Sequence, residues 1–179
     1  WVRSESTHRA VGFTLTNAYE RTGQLGPDRW YAAIGALSLF RGTPLLVVHA
    51  GTATTVDSVF MTGLGEYRFM GGRIAPGPAL MHKALLSAVP TLDSSLTEHK
   101  DFPLCSSDAI TTGIIDAQVG LIAQAYESMC EAGQRPKIIL AGGSSRFLAP
   151  RLRALHPTLI VRHNLVLGGL AQKARESKR

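Results

Sequence analysis

Between Leu45 and Ile74 the chain carries three strand-like runs, Leu45 to Val48, Thr54 to Phe60 and Tyr67 to Ile74, joined by short glycine-containing turns. Connections this short cannot hold a crossover, so the three runs are expected to pair antiparallel as a meander. The first run leads into Gly51-Thr52-Ala53-Thr54-Thr55-Val56-Asp57, a small, hydroxyl-rich turn that offers backbone N–H groups and threonine hydroxyls at one point. Phosphate oxygens match such donors best. A second glycine cluster, Gly71-Gly72, precedes Ile74-Ala75-Pro76-Gly77-Pro78. Together the two signals read as a hairpin unit that handles nucleotides.

The flanking segments alternate. Trp30 to Phe40 has small and apolar residues at helical spacing, and Gly42-Thr43-Pro44 breaks it. Ala79 to Ala88 reads as a helix, and residues 90 to 105 as a loop. Ser106 or Ser107 is the expected N-cap of a long helix to about Cys130, with Ile110, Ile114, Ala117, Leu121, Ile122 and Ala125 on one apolar stripe. Lys137 to Ala141 is a short buried strand ending in Gly142-Gly143. A helix through Arg151, a strand at Thr158 to Arg162 and a helix from Leu165 complete the pattern. The expected class is an α+β or α/β layered domain, one sheet covered by helices.

No apolar run approaches the roughly 20 residues of a membrane span. Net charge is +6, and the basic residues gather only at Lys173 to Arg179. That balance suits anionic small molecules, whereas the lack of aromatic–basic interleaving argues against nucleic acid. The two cysteines, Cys105 and Cys130, have no metal spacing and fit a reducing, cytoplasmic setting.

Gly26-Pro27-Asp28-Arg29-Trp30 sets a carboxylate and a guanidinium side by side at a helix start. One reading is a general base, Asp28, beside an anion clamp, Arg29; the other is a capping Asp with a surface Arg. Asp57 reads as a strand-end turn former. Gly142-Gly143 is either a close approach for a purine ring or a tight strand-to-helix turn. His49 ends the first strand without metal-spaced companions. There is no G-x-x-x-x-G-K-[ST], no G-x-G-x-x-G and no G-x-S-x-G.

In order, Gln24-Leu25-Gly26-Pro27-Asp28-Arg29-Trp30, Gly51 to Asp57, Gly71-Gly72-Arg73-Ile74-Ala75-Pro76-Gly77 and Leu165-Val166-Leu167-Gly168-Gly169-Leu170 resemble the type III pantothenate kinase family. The likeness is strongest to its proteobacterial branch, which includes the Bordetella virulence accessory factor. The resemblance implies the actin-like ATPase fold of two ribonuclease H-like domains: residues 1–44 as the remainder of the first domain with the interdomain segment, and residues 45–179 as the second. It implies ATP-dependent phosphorylation of pantothenate, the first step towards coenzyme A, with ATP and Mg2+, in a homodimer. By the same resemblance Asp28 is the general base. Tyr19, Gly26, Pro27, Arg29 and Ser106 join it in binding pantothenate, with Pro27 in place of the usual Ala and Ser106 in place of the usual Thr. Thr52 is the ATP-binding threonine, and Arg29 is a candidate for the pantothenate carboxylate. The helix from Ser106 to Cys130 is either a dimer interface or a cover for the sheet.

The chain departs from the family's pattern in two places. His49 stands where many members carry an Asp that binds a monovalent cation, K+ or NH4+; imidazole is a poor ligand for such ions, so His49 argues against cation dependence. The N-terminal Asp-x-Gly-Asn-Thr-x-x-Lys motif is absent, so the chain is expected to begin partway through the first domain and to turn over little alone. The alternative reading is a catalytically degenerate regulatory or accessory protein of the same fold.

Overall fold

A computed structural model describes residues 2–92 and 95–176. Its strands are β1 (Thr7–Ala10), β2 (Phe13–Asn17), β3 (Leu45–Ala50), β4 (Ala53–Gly63), β5 (Glu66–Pro76), β6 (Lys137–Ala141) and β7 (Ile160–Val161). Its α-helices are α1 (Pro27–Leu39), α2 (Pro78–Ala88), α3 (Ser106–Glu131), α4 (Ser145–Leu155) and α5 (Leu165–Glu176). All seven strands form one mixed sheet in the order β1-β2-β5-β4-β3-β6-β7. The expected meander is its centre, β3–β4 and β4–β5 being antiparallel, while β6 and β7 extend it in parallel beyond β3. Residues 1–44 contribute the hairpin β1–β2, whose second strand runs parallel to β5.

Side-chain alternation along the strands divides the core in two. Val47, Val59, Tyr67 and Phe69 face α1 and α5, while Leu46, Val48, Ala50 and Val56 face α3 and α4. Every residue of α1 from Arg29 to Leu37 is buried, because the helix lies between the sheet and α5. Glycines make that layering possible. A Cβ on Gly35 would lie 2.0 Å from the Leu165 carbonyl oxygen, and one on Gly169 would lie 2.0 Å from that of Tyr31. The two helices therefore meet backbone to backbone.

Several boundaries differ from expectation. Cys105, not Ser106 or Ser107, is the N-cap of α3, with a backbone bond from Ala109 to its carbonyl and no side-chain cap. The buried stripe of α3 runs through Ile115, Gln118, Val119, Ile122, Ala125 and Met129 onto the sheet, leaving Ala117 exposed and Leu121 half-buried. The strand expected at Thr158 to Arg162 shortens to two residues. Asp57 is not at a strand end: it is the fifth residue of β4, opposite Val47 and Gly72. The last three residues of the basic C-terminal stretch lie outside the described residues. No helix among the described residues is long and apolar enough to cross a membrane.

Candidate active site

The Gly26-Pro27 step begins α1, with Gly26 as N-cap, Pro27 in the first turn and the Trp30 N–H donating to the Gly26 carbonyl. A proline fits there because its missing N–H has no intrahelical partner to lose. Asp28 is exposed on this turn, where the helix dipole favours negative charge. Arg29, one residue on, turns inward and is 7% exposed.

The guanidinium of Arg29 meets a carboxylate, and that carboxylate is Asp57. Nε donates to Asp57 Oδ1 at 2.9 Å, NH2 donates to the same oxygen, and NH1 donates to the Tyr19 hydroxyl at 2.9 Å. The rings of Tyr19 and Phe69 flank the guanidinium carbon at 5.8 and 5.7 Å. Tyr19 is fixed in turn: its N–H donates to Asn17 Oδ1, and the Asn17 amide nitrogen donates to the Glu5 carbonyl. The anion clamp read from the sequence is thus filled from within the chain.

Gly72 on β5 makes room for the pair. A Cβ there would stand 2.2 Å from Asp57 Oδ1 and 2.6 Å from Arg29 NH2. Just before it the register jumps from Ser58↔Gly71 to Val59↔Phe69, so Met70 is an extra residue and Gly71 takes φ +127°. Bulges of this kind redirect a strand beside functional groups. Burial pushes the Asp57 carboxyl up to about 6, against the lowering effect of Arg29, and the nearby Asp28 adds to the rise. Arg29 stays charged, since its bonds to Asp57 and Tyr19 outweigh the cost of burial.

The threonine turn occupies a different place. Gly51-Thr52 is a tight hairpin turn between β3 and β4, along the edge where the central strands end, with Thr52 exposed. One of its donors is used, since the Gly51 N–H bonds the Ala53 carbonyl, and its Thr52 carbonyl accepts from the Gly77 N–H. Gly77 can bear no side chain, since a Cβ would lie 2.0 Å from the Gly51 carbonyl oxygen. The Gly142-Gly143 turn joins the same edge through Ser144 N–H to the Ala50 carbonyl, with Gly142 at φ +95°. Beside it is a cavity of about 280 Å³ lined by His49, Ala141 to Gly143 and His163 to Leu167. Its lining holds no carboxylate, so the donor set suits an anionic group such as a nucleotide phosphate.

The structure therefore unites Tyr19, Arg29 and Asp57, with Asp28 on the rim and Gly26-Pro27 shaping the turn. Thr52 lies roughly 17 Å from Asp57 along β4. Ser106 is exposed on the first turn of α3, roughly 18 Å along that helix from Gln118, whose amide nitrogen donates to the Pro76 carbonyl. Sequence reasoning missed Asp57, Gly72 and Asn17 as partners. The available signal was an Asp inside a β-branched run, where an ionised group needs a buried partner. Among the described residues no group of three or more His, Cys, Asp or Glu side chains could hold a metal ion.

The mixed sheet with helices on both faces is the fold of the actin-like ATPases. A non-polymerisable ParM mutant matches it with a TM-score of 0.51 over 91% of this chain and 58% of its own, and an Alp12 filament structure with 0.53 over 85% and 53%, each at 13% identity. A conserved Baf family protein from Campylobacter jejuni, described as a putative transcriptional activator, matches with a TM-score of 0.59 at 23% identity, over 90% of this chain and 67% of its own. Residues 2–128 match the family model of the type III pantothenate kinases. Relatives described as type III pantothenate kinases are 39% identical in Methylobacillus flagellatus, over 92% of this chain and 66% of the relative, and 37% identical in Burkholderia lata, over 96% and 65%. The chain belongs to the type III pantothenate kinase family. It spans just under two thirds of the length of these relatives.

Proposed function

We propose that this chain carries the substrate-binding and base-bearing part of an ATP-dependent pantothenate kinase. The observation that carries the reading is Asp28: an exposed carboxylate on the first turn of a buried helix, beside the fixed Tyr19–Arg29–Asp57 network. Pantothenate sits against Tyr19 and the Gly26 to Arg29 turn, and Ser106, on the opposite face of the sheet, does not reach that turn within one chain. Asp28 accepts the proton of the primary hydroxyl as its oxygen bonds the γ-phosphorus of ATP, and the β–γ bridging bond breaks to release ADP. Phosphoryl transfer of this kind depends mainly on positioning and on neutralising charge.

The turns at Gly51-Thr52 and Gly142-Gly143 fit the nucleotide, because they lie together where the strands end, beside a cavity whose lining holds no carboxylate. Mg2+ would be held by the phosphates themselves, no cluster of described side chains being suited to it, and would supply charge neutralisation for the transfer. His49 borders the same cavity and supplies no oxygen ligand for a monovalent cation.

The test is formation of phosphorylated pantothenate, read by mass spectrometry, with the chain, Mg-ATP and pantothenate. Slow product formation is expected from the wild type, and a loss of about 100-fold or more in Asp28→Asn with pantothenate binding retained. Product from Asp28→Asn at the wild-type rate removes its role as base. A wild type that neither binds pantothenate nor forms product removes the reading.

A further inference from the structure

We propose that Asp57 is a positioning residue for the pantothenate site, pinning Arg29 so that Arg29 sets both the Tyr19 hydroxyl and the α1 turn that bears Asp28. The proposal rests on the pantothenate reading above. Asp57 is 1% exposed, so it is placed to act through Arg29 rather than to touch substrate itself. Two nitrogens of Arg29 converge on its Oδ1 and the third reaches Tyr19, which ties β4, α1 and the segment after β2 into one network. The network is directional. A guanidinium is planar with its donors in a fixed fork, so holding one edge fixes where the other edge points.

The sheet is shaped to admit this pair. Gly72 leaves out a side chain that would strike Asp57 Oδ1 and Arg29 NH2, and the bulge at Met70-Gly71 lies immediately before it. A buried ion pair gains little stability over an apolar pair of similar volume, so stability alone does not account for the arrangement. Orientation does, because Asp28 is the residue next to Arg29 and Tyr19 is its third partner. The groups facing Asp57 are Arg29 and Asp28 from α1, Tyr19 through Arg29, and Thr55 on its own strand; β5 presents Gly72.

Calorimetric titration of pantothenate into the full chain, wild type against Asp57→Asn, with thermal melts alongside, tests this. Expected are a cooperative melt for Asp57→Asn and a pantothenate Kd weakened about tenfold or more, the scale on which loss of an orienting partner is felt. Wild-type affinity should fall as pH drops through about 6, with Asp57→Asn flat over that range. If Asp57→Asn does not melt cooperatively, Gly72→Ala crowds the same carboxylate from β5 and should show the same weakened titration. Unchanged affinity in the folded variant overturns the positioning role. Tighter binding also overturns it, by showing Asp57 to be a competitor for Arg29. Absence of pantothenate binding by the wild type overturns the substrate reading itself, an outcome told apart from the other two because they leave wild-type binding intact.

Discussion

Gly168 and Gly169 are neighbours on α5, yet alanine should move stability in opposite directions at the two. In an open helix position Gly→Ala gains about 1 kcal/mol, because glycine gives up more backbone freedom on folding. Gly168 has that openness: the nearest atom to a built Cβ is the Gly35 Cα at 3.8 Å, an ordinary contact. At Gly169 the Cβ would stand 2.0 Å from the Tyr31 carbonyl oxygen and 2.8 Å from its carbon. Neither atom can swing away, since both belong to the backbone of α1. Restoring contact distance requires α5 to retreat by roughly an ångström, against the packing of Leu165, Val166 and Leu170 on the α1 layer. Overpacking of this kind costs about 1–3 kcal/mol, and a clash of backbone with an immovable backbone falls at the upper end, above the helical gain. The two variants should differ by about 3 kcal/mol. In a chain of this size that separates their melting temperatures by roughly 6–12 °C, Gly168→Ala above wild type and Gly169→Ala below. Differential scanning calorimetry reads it directly. Equal melting temperatures, or stabilisation by Gly169→Ala, would refute the backbone-to-backbone packing of α1 on α5.

Arg29→Met should cost about 3–5 kcal/mol, since it strands a buried carboxylate, and Arg29→Met with Asp57→Leu should recover most of that loss in urea melts. Asp57 also sets a pH dependence. Its carboxyl binds its proton more tightly when folded, about 6 against 3.8, so between those values the folded state holds a proton that the unfolded chain has lost. Stability should therefore fall by up to about 3 kcal/mol as pH rises from about 4 to about 6, and level off above. Asp108, held below the usual carboxylate range by Lys100, adds a slope of the opposite sign, so the readout is the difference between wild type and Asp57→Asn. Gly77→Ala should lower the melting temperature and weaken ATP binding together, because its Cβ collides with the Gly51 carbonyl that shapes the threonine turn; full ATP affinity in calorimetry would separate that turn from the nucleotide.

The central meander, β6 and the long helix α3 were legible because short glycine turns and apolar periodicity are local signals. The hairpin β1–β2 was not, since Thr7 to Asn17 mixes His, Arg and Thr with apolar residues and gains its strand partner only from β5, some fifty residues on. Of the stripe expected on α3, Ile110, Ile114, Ile122 and Ala125 are buried, but Ala117 and Leu121 are not, although they are as apolar as their buried neighbours; the sheet, not the helix, decides which face is covered. At the site, Asp28 and Arg29 were visible as an adjacent pair, while Tyr19 entered only through the family resemblance. Their division of labour was not visible. Arg29 turns inward because Asp57, twenty-eight residues away, waits in the middle of β4. A pairing across that separation leaves no trace in spacing, and the glycine that admits it looks like any turn residue.

The most direct test is a crystal structure of the chain with pantothenate. The primary hydroxyl should lie within hydrogen-bond reach of the Asp28 carboxylate, about 2.6–3.2 Å, with the ligand against Tyr19 and the Gly26 to Arg29 turn. Pantothenate bound elsewhere, or bound with its hydroxyl turned away from Asp28, would contradict the assignment of this turn as the base-bearing site.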